Sequence, residues 1–292
     1  MSERYPIIAI TGSSGAGTTS VTRTFESIFR REGVKSVVIE GDSFHRYNRA
    51  EMKVKMAEAE RTGTMNFSHF GPENNLFGDL ENLFRSYAES GTGMHRHYLH
   101  SAEEAAPFGQ EPGTFTEWEP LPADTDLLFY EGLHGGVATD EINVAQYPNL
   151  LIGVVPVINL EWIQKLWRDK KQRGYSTEAV TDTILRRMPD YVNYICPQFS
   201  RTHVNFQRVP CVDTSNPFIA REIPAPDESM VVIRFANPKG IDFQYLLSMV
   251  HDSFMSRANT IVVPGGKMEL AMQLIFTPFV LRMMERRKRA AL

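Results

Sequence analysis

Residues 5–33 place a short apolar run, a glycine-rich loop and an amphipathic segment in immediate succession, and few folds accept that order. Tyr5-Pro-Ile-Ile-Ala-Ile10 is long enough for one buried strand. Gly12-Ser-Ser-Gly15-Ala-Gly17-Thr18-Thr19 follows at once. Val21, Phe25, Ile28 and Phe29 then recur at helical spacing until Gly33 supplies a C-terminal stop. Glycines let backbone N–H groups close around anionic oxygens, and a helix N-terminus adds partial positive charge. The spacing Gly12-x4-Gly17 followed by Thr19 is that of a P-loop. It predicts phosphate binding along Gly12, Ser13, Ser14, Gly15, Ala16, Gly17, Thr18 and Thr19, with the Thr19 hydroxyl placed to reach a magnesium ion. Thr18 stands where the P-loop lysine belongs, so charge for the β/γ-phosphates has to come from elsewhere. The bland alternative is a glycine turn without a ligand; the flanking strand and helix favour phosphate.

The rest of the chain extends this pattern. Apolar strands are expected at 34–40, 126–132, 150–158, 209–213, 229–235 and 260–264, with Pro156 marking an edge or an irregular end. Helices are expected over 43–62, 76–88, 160–173, 177–191 and 268–289, the last interrupted by Pro278. Residues 89–125, studded with Gly, His and Pro, read as an irregular insertion or lid within one domain spanning 1–292. Strands alternating with helices around a P-loop imply an α/β fold, a P-loop kinase-like, mostly parallel (mixed) sheet with helices on both faces. At 292 residues, 42% hydrophobic and 23% charged, the composition is that of a globular protein. A net charge of −4 argues against a nucleic-acid-coating protein. No apolar run approaches the roughly 20 residues that span a bilayer, and a cytoplasmic location is expected. Cys196 and Cys211 are the only cysteines; a disulfide framework is improbable, and both are expected to be buried thiols.

Ligands of such a sheet gather at the carboxyl ends of its strands. Glu131, ending the run 127–130, is placed like a Walker B acid that holds magnesium, against the plainer reading of a solvated strand-end carboxylate. Asp42 could be no more than a helix N-cap. However, His45, Arg49 and Lys53 follow at i, i+4 spacing, on one face if the segment is helical, and Arg46 adds a basic group. Cations at a helix N-terminus oppose the macrodipole by roughly 0.3–1 kcal/mol each, and a bound anion would justify them. A carboxylate beside such a row suits a kinase: a base for a hydroxyl and clamps for an anionic acceptor. On the helix 160–173, Lys165, Arg168, Asp169 and Gln172 share a polar side. A solvated face with an internal ion pair is the plain reading; overhang of the phosphate site would let Lys165 or Arg168 replace the charge missing at Thr18. Met94-His-Arg-His-Tyr-Leu-His100 invites a zinc reading, but no cysteine or paired acid sits nearby at ligand spacing. A cationic loop near an anionic substrate is preferred, with Tyr98 and His100 as contacts.

The motifs 12–19, Glu40-Gly-Asp-Ser-Phe-His-Arg46, Phe129-Tyr-Glu-Gly-Leu-His-Gly135, residues 155–165 and Asp213-Thr-Ser-Asn-Pro-Phe218 together resemble the bacterial, proteobacterial-type phosphoribulokinase family, over nearly the whole chain. Uridine and pantothenate kinases share the fold but keep the P-loop lysine; the bacterial phosphoribulokinases commonly carry threonine there. The resemblance implies ATP-dependent phosphorylation of ribulose 5-phosphate at its 1-hydroxyl, for carbon fixation. It implies Asp42 as catalytic base and Glu131 as the Mg2+-linked acid. His45, Arg49, Lys53 and Arg173 would hold ribulose 5-phosphate, and Lys165, Arg168 and Asp169 would flank the transferred group. The plant relatives' thiol switch needs a P-loop cysteine, and Ala16 stands there. The bacterial branch is a homo-oligomer, typically an octamer, activated by NADH and inhibited by AMP. On that resemblance Arg234 and Arg257 would clamp the effector and Arg31 would relay its effect. The rivals are a uridine-kinase-like nucleoside kinase and a non-catalytic nucleotide-sensing module. A GTPase is disfavoured because the chain has no Asn-Lys-x-Asp motif.

Overall fold

The computed structural model describes residues 1–12, 18–64, 67–220 and 222–291, without the side chains of Thr18, Thr19, Gln172 and Arg173. In chain order the elements begin with β1 (Ile7–Thr11), α1 (Thr18–Glu32), β2 (Ser36–Glu40), α2 (Arg49–Thr62) and α3 (Phe77–Ser90). Next come β3 (Met94–His95), α4 (Ala102–Ala105), β4 (Glu119–Pro120), β5 (Leu127–Gly132), β6 (Leu150–Val155), α5 (Ile158–Arg173) and α6 (Thr177–Asp190). The chain closes with β7 (Val204–Pro210), β8 (Ser229–Phe235), α7 (Phe243–Met249), β9 (Phe254–Arg257), β10 (Thr260–Pro264) and α8 (Met268–Ala290).

β1 is buried along its whole length because it lies inside an eight-stranded sheet of order β2-β5-β1-β6-β7-β8-β10-β9. The strands from β2 to β7 in that order pair in parallel; β8, β10 and β9 join antiparallel. The sheet is thus mixed and mostly parallel, as expected. Strand periodicity sends alternate residues to opposite faces. Ile8, Ile10, Leu127 and Phe129 meet Val21, Phe25 and Ile28 of α1 and Met272, Phe276 and Val280 of α8. Ile7, Ala9, Leu128 and Tyr130 meet Leu80, Phe84 and Tyr87 of α3. Two helical layers therefore clamp the sheet and fix the carboxyl ends of β1, β2 and β5 beside one another.

Several expectations need correction. The segment 43–62 is not one helix: a 3-10 turn at Gly41–Phe44 ends in extended backbone at His45, and α2 begins only at Arg49. Asn48 is its N-cap, accepting from the N–H groups of Ala50 and Glu51, while Glu51 accepts from Asn48 N–H in a capping box. β7 begins at Val204 and ends before Cys211, because Asn205 and Gln207 alternate with the buried Val204 and Phe206. β6 ends before Pro156 and is interior, between β1 and β7. α8 runs unbroken through Pro278, since Ile275, Phe276 and Val280 are buried on either side of it. α7 and β9 had no counterpart in the sequence reading. Cys196 and Cys211 are exposed free thiols: Cys196 opens the 3-10 turn Cys196–Ser200 with its side chain outward, and Cys211 follows the end of β7. Within residues 89–125, β3 and β4 pair antiparallel, so the stretch has a small sheet of its own.

Candidate active site

β2 and β5 converge closely at their carboxyl ends. A Cβ on Gly41 would lie 2.8 Å from Gly132 Cα and 2.5 Å from the Tyr130 hydroxyl, so only glycine fits where the two backbones meet. This explains why a glycine adjoins each acid: Glu40-Gly41-Asp42 on one strand end and Glu131-Gly132 on the other. Glu131 pairs in register with Glu40 and Ile10, which sets the carboxylates in one row beside the start of the P-loop. Behind that row, the buried Gln198 accepts from the Thr11 hydroxyl (2.7 Å) and the Gly136 N–H (2.9 Å) and donates to the carbonyls of Leu133 and Tyr194. The end of β1 is thereby held to the loop after β5.

Over these strand ends opens a cleft of about 860 Å³. Gly12, Asp42, His45, Arg49, Lys53, Tyr98, His100, Glu131, Lys165 and Arg168 all line it. Positions as far apart in sequence as Gly12 and Arg168 are thus brought together. Asp42 caps no helix, since Asn48 does that, and the N-cap explanation falls away. Its carboxylate lies between two imidazoles: His45 Nε2 is 3.7 Å from Oδ1 and His100 Nε2 is 3.8 Å from Oδ2. His45, only 7% exposed, has its proton affinity lowered by burial against the pull of Asp42. It is therefore a neutral imidazole near pH 7, not a member of a cation row on a helix face. Arg49 opens α2 and donates to the His100 carbonyl at 2.9 Å. Arg46 points away, donating to the carbonyls of Glu73 and Asn75.

On α5, Lys165 meets Asp169 at 2.5 Å and Arg168 meets it at 3.2 Å. Asp169 is 4% exposed and does not itself line the cleft, but it pairs with the two cations that do. Burial, with Arg187 adding repulsion, pulls the Lys165 ammonium down to about 8 against Asp169. Ser13, Ser14, Gly15, Ala16 and Gly17 lie outside the described residues, as do the side chains of Thr18, Thr19 and Arg173. The three expected effector arginines are remote from the cleft. Arg31 donates to the Thr277 hydroxyl of α8 at 2.8 Å. Arg234 and Arg257 both pair in register with Thr260, on the two strands beside β10.

The cleft also contains residues that the sequence did not single out. Arg187 of α6 and Glu161 of α5 line it, and Glu40 faces it with a carboxyl that burial pushes up against the pull of His100. His69 stacks on His45 at 4.6 Å between ring centres, and burial holds it well below the usual imidazole range. Arg96 holds the Asp42 turn from behind: it donates to the carbonyls of Ser43 (2.8 Å) and His45 (2.7 Å) while its guanidinium lies 3.7 Å from the Phe115 ring. The only available signal was the alternation in Met94–His100, which puts Arg96 opposite its neighbouring histidines.

Oxygen donors at strand ends and cations from two helices around one cleft fit a nucleotide and a second anion. Residues 7–215 match the phosphoribulokinase / uridine kinase family. The chain is 96% identical over 291 residues to the chromosomal phosphoribulokinase of Cupriavidus necator, with 100% of both chains covered. It is 70% identical over 290 residues to the phosphoribulokinase of Nitrobacter vulgaris, covering 99% of this chain and 100% of the relative. Among solved structures it is similar to the phosphoribulokinase from Rhodobacter spheroides, with a TM-score of 0.91 and 58% identity over 98% of this chain and 100% of that one. With a match across the strands and helices that build the cleft and full-length relatives at such identity, the chain belongs to the phosphoribulokinase / uridine kinase family.

Proposed function

We propose that the cleft transfers the γ-phosphoryl group of ATP to the 1-hydroxyl of ribulose 5-phosphate, giving ribulose 1,5-bisphosphate for Calvin-cycle carbon fixation. The observation that carries this reading is the Asp42 carboxylate set in one cleft with Arg49, Lys53, Lys165 and Arg168. A neutral acceptor such as a nucleoside would not call for that many cations. Asp42 accepts the hydroxyl proton, and the neighbouring His45 and His100 flank its two oxygens. Arg49, Lys53 and Arg173 hold the sugar phosphate, with Tyr98 and His100 closing over it. Lys165 and Arg168, braced by Asp169, supply the charge that a lysine at Thr18 would have given, and they act where charge develops.

The donor set at the strand ends is all oxygen, which suits Mg2+: Glu131 and the Thr19 hydroxyl would hold it with the nucleotide phosphates. Bound there, the ion neutralises charge on the phosphate oxygens. Regulation and assembly belong to the same reading: NADH as activator, clamped by Arg234 and Arg257, and AMP as inhibitor, in a homo-oligomer, an octamer by resemblance. A single domain with residues 89–125 as a lid, and a cytoplasmic location, complete it.

ADP release measured with ribulose 5-phosphate, uridine and pantothenate in parallel tests the assignment. Turnover with ribulose 5-phosphate should exceed the other two by orders of magnitude, and comparable rates with uridine would make the chain a nucleoside kinase instead.

A further inference from the structure

The short ladder between β3 and β4 sets His95 directly opposite Glu119, and His97 follows two residues later. Alternation along the extended chain sends Arg96 one way, to the carbonyls of the Asp42 turn, and the two histidines the other way. His95 Nε2 lies 3.5 Å from Glu119 Oε1, and His97 Nε2 lies 3.7 Å from the same oxygen. The imidazole centres are 5.1 Å apart, and the three candidate ligand atoms fall within 4.8 Å of one another. Among the described residues no other group of three His, Cys, Asp or Glu side chains converges in this way.

We propose that His95, His97 and Glu119 form a binding site for a divalent transition-metal ion, Zn2+ foremost, separate from the magnesium of the cleft. Bonds of about 2.0–2.2 Å to nitrogen and oxygen place neighbouring ligand atoms of a tetrahedral ion roughly 3.3–3.6 Å apart. Two of the three edges already approach that length, and the His–His edge can close by rotation of His97, whose side chain is 44% exposed. Both contacts are within ion-pair distance, and both imidazoles meet the same carboxylate oxygen. Two nitrogens and one carboxylate select Zn2+ over the harder Mg2+, and the open sides of His97 and Glu119 admit the ion and a water as fourth ligand. The acid was missing from the local sequence because it arrives 22 residues after His97 (119 − 97), across the ladder. Occupancy would lock β3 to β4 and so stiffen the strand from which Arg96, Tyr98 and His100 project. The site stands whatever acceptor the cleft uses.

The test is a titration of the metal-free full chain with ZnCl2 in millimolar MgCl2, followed by calorimetry and thermal melting, and repeated with CoCl2 by visible absorption. The wild type should take up Zn2+ that Mg2+ does not displace, give the intense bands of four-coordinate Co2+, and melt at a higher temperature with Zn2+. His97→Ala and Glu119→Gln, both at accessible positions, should melt like wild type without metal. Each should bind Zn2+ at least tenfold more weakly and lose the Co2+ bands. Unchanged Zn2+ affinity in both variants would place any bound ion elsewhere and overturn the site, as would wild-type affinity no tighter than millimolar.

Discussion

At the scale of single residues, the chemistry turns on how each titratable group is held. Asp42 is freed from capping by Asn48, so its conservative replacement tests catalysis rather than helix stability. Asp42→Asn should leave ATP affinity near wild type while turnover falls at least about 100-fold, the usual scale for a general base; a variant keeping a tenth of the rate would demote Asp42 to a positioning role. Lys165 gives a prediction with a defined sign. Burial and Arg187 depress its ammonium to about 8, and the charged form is the one that stabilises a transferring phosphoryl group. The contribution proposed for Lys165 should therefore be present below pH 8 and lost as pH rises through 8, by about tenfold for each further unit. In Lys165→Arg, whose guanidinium stays charged, the alkaline fall of kcat should move to higher pH even if the maximal rate drops. An alkaline limb that stays in place would assign that titration to another group.

At the scale of elements, periodic segments were readable and their joints were not. β1 and α1 could be placed because apolar spacing switches from strand to helix across a glycine loop. β7 was displaced because its buried Val204 and Phe206 are separated by polar Asn205, which looks like loop in one dimension. The start of α2 was missed although Asn48-x-x-Glu51 spells a capping box; the row His45, Arg49, Lys53 suggested a longer helix, and the turn geometry won. Asp42, Glu131, Lys165 and Arg168 were legible in the site because strand-end acids and a helix following a strand have fixed positions in such sheets. Arg187 and His69 were not, since only tertiary packing brings them into the cleft. The joint with the largest expected effect is Arg96, which ties the strand after β3 to the Asp42 turn through two backbone carbonyls and a stack on Phe115. Each charge-assisted bond is worth about 1.5–3 kcal/mol. Arg96→Lys keeps the charge but loses the planar fork and the stack. It should lower kcat by about tenfold or more while the far-ultraviolet dichroism stays unchanged, and wild-type kinetics in that variant would show that the turn holds its shape without the anchor.

At the scale of the whole molecule, the question is how sites at opposite regions of the sheet could influence each other. α1 leaves the P-loop and carries Arg31 in its last turn, where the guanidinium bonds Thr277 of α8. α8 in turn packs on the same sheet face as β8 and β10, where Ile233, Phe235, Ile261 and Val263 share a core with Met272 and Phe276. Arg234 on β8 and Arg257 on β9 flank Thr260 of β10, at the end of the sheet farthest from β2. An anion clamped between those arginines would bear on strands that α8 connects to the helix of the phosphate site. Such a route supplies contact, and coupling additionally requires two arrangements that the effector binds unequally. An oligomer that exchanges between two quaternary states offers that difference, and the coupling is then typically 1–3 kcal/mol, or about 5–150-fold in affinity. Arg257→Ala removes one of the two proposed clamps at a residue that does not line the cleft. It should abolish or sharply blunt activation by NADH while maximal activity with saturating ATP and ribulose 5-phosphate stays within about twofold of the parent. Rates measured with and without NADH at subsaturating ATP, for parent and variant side by side, decide the matter: a variant that responds as the parent does would remove Arg257 from the effector site, and a parent that does not respond would remove the regulatory reading with it.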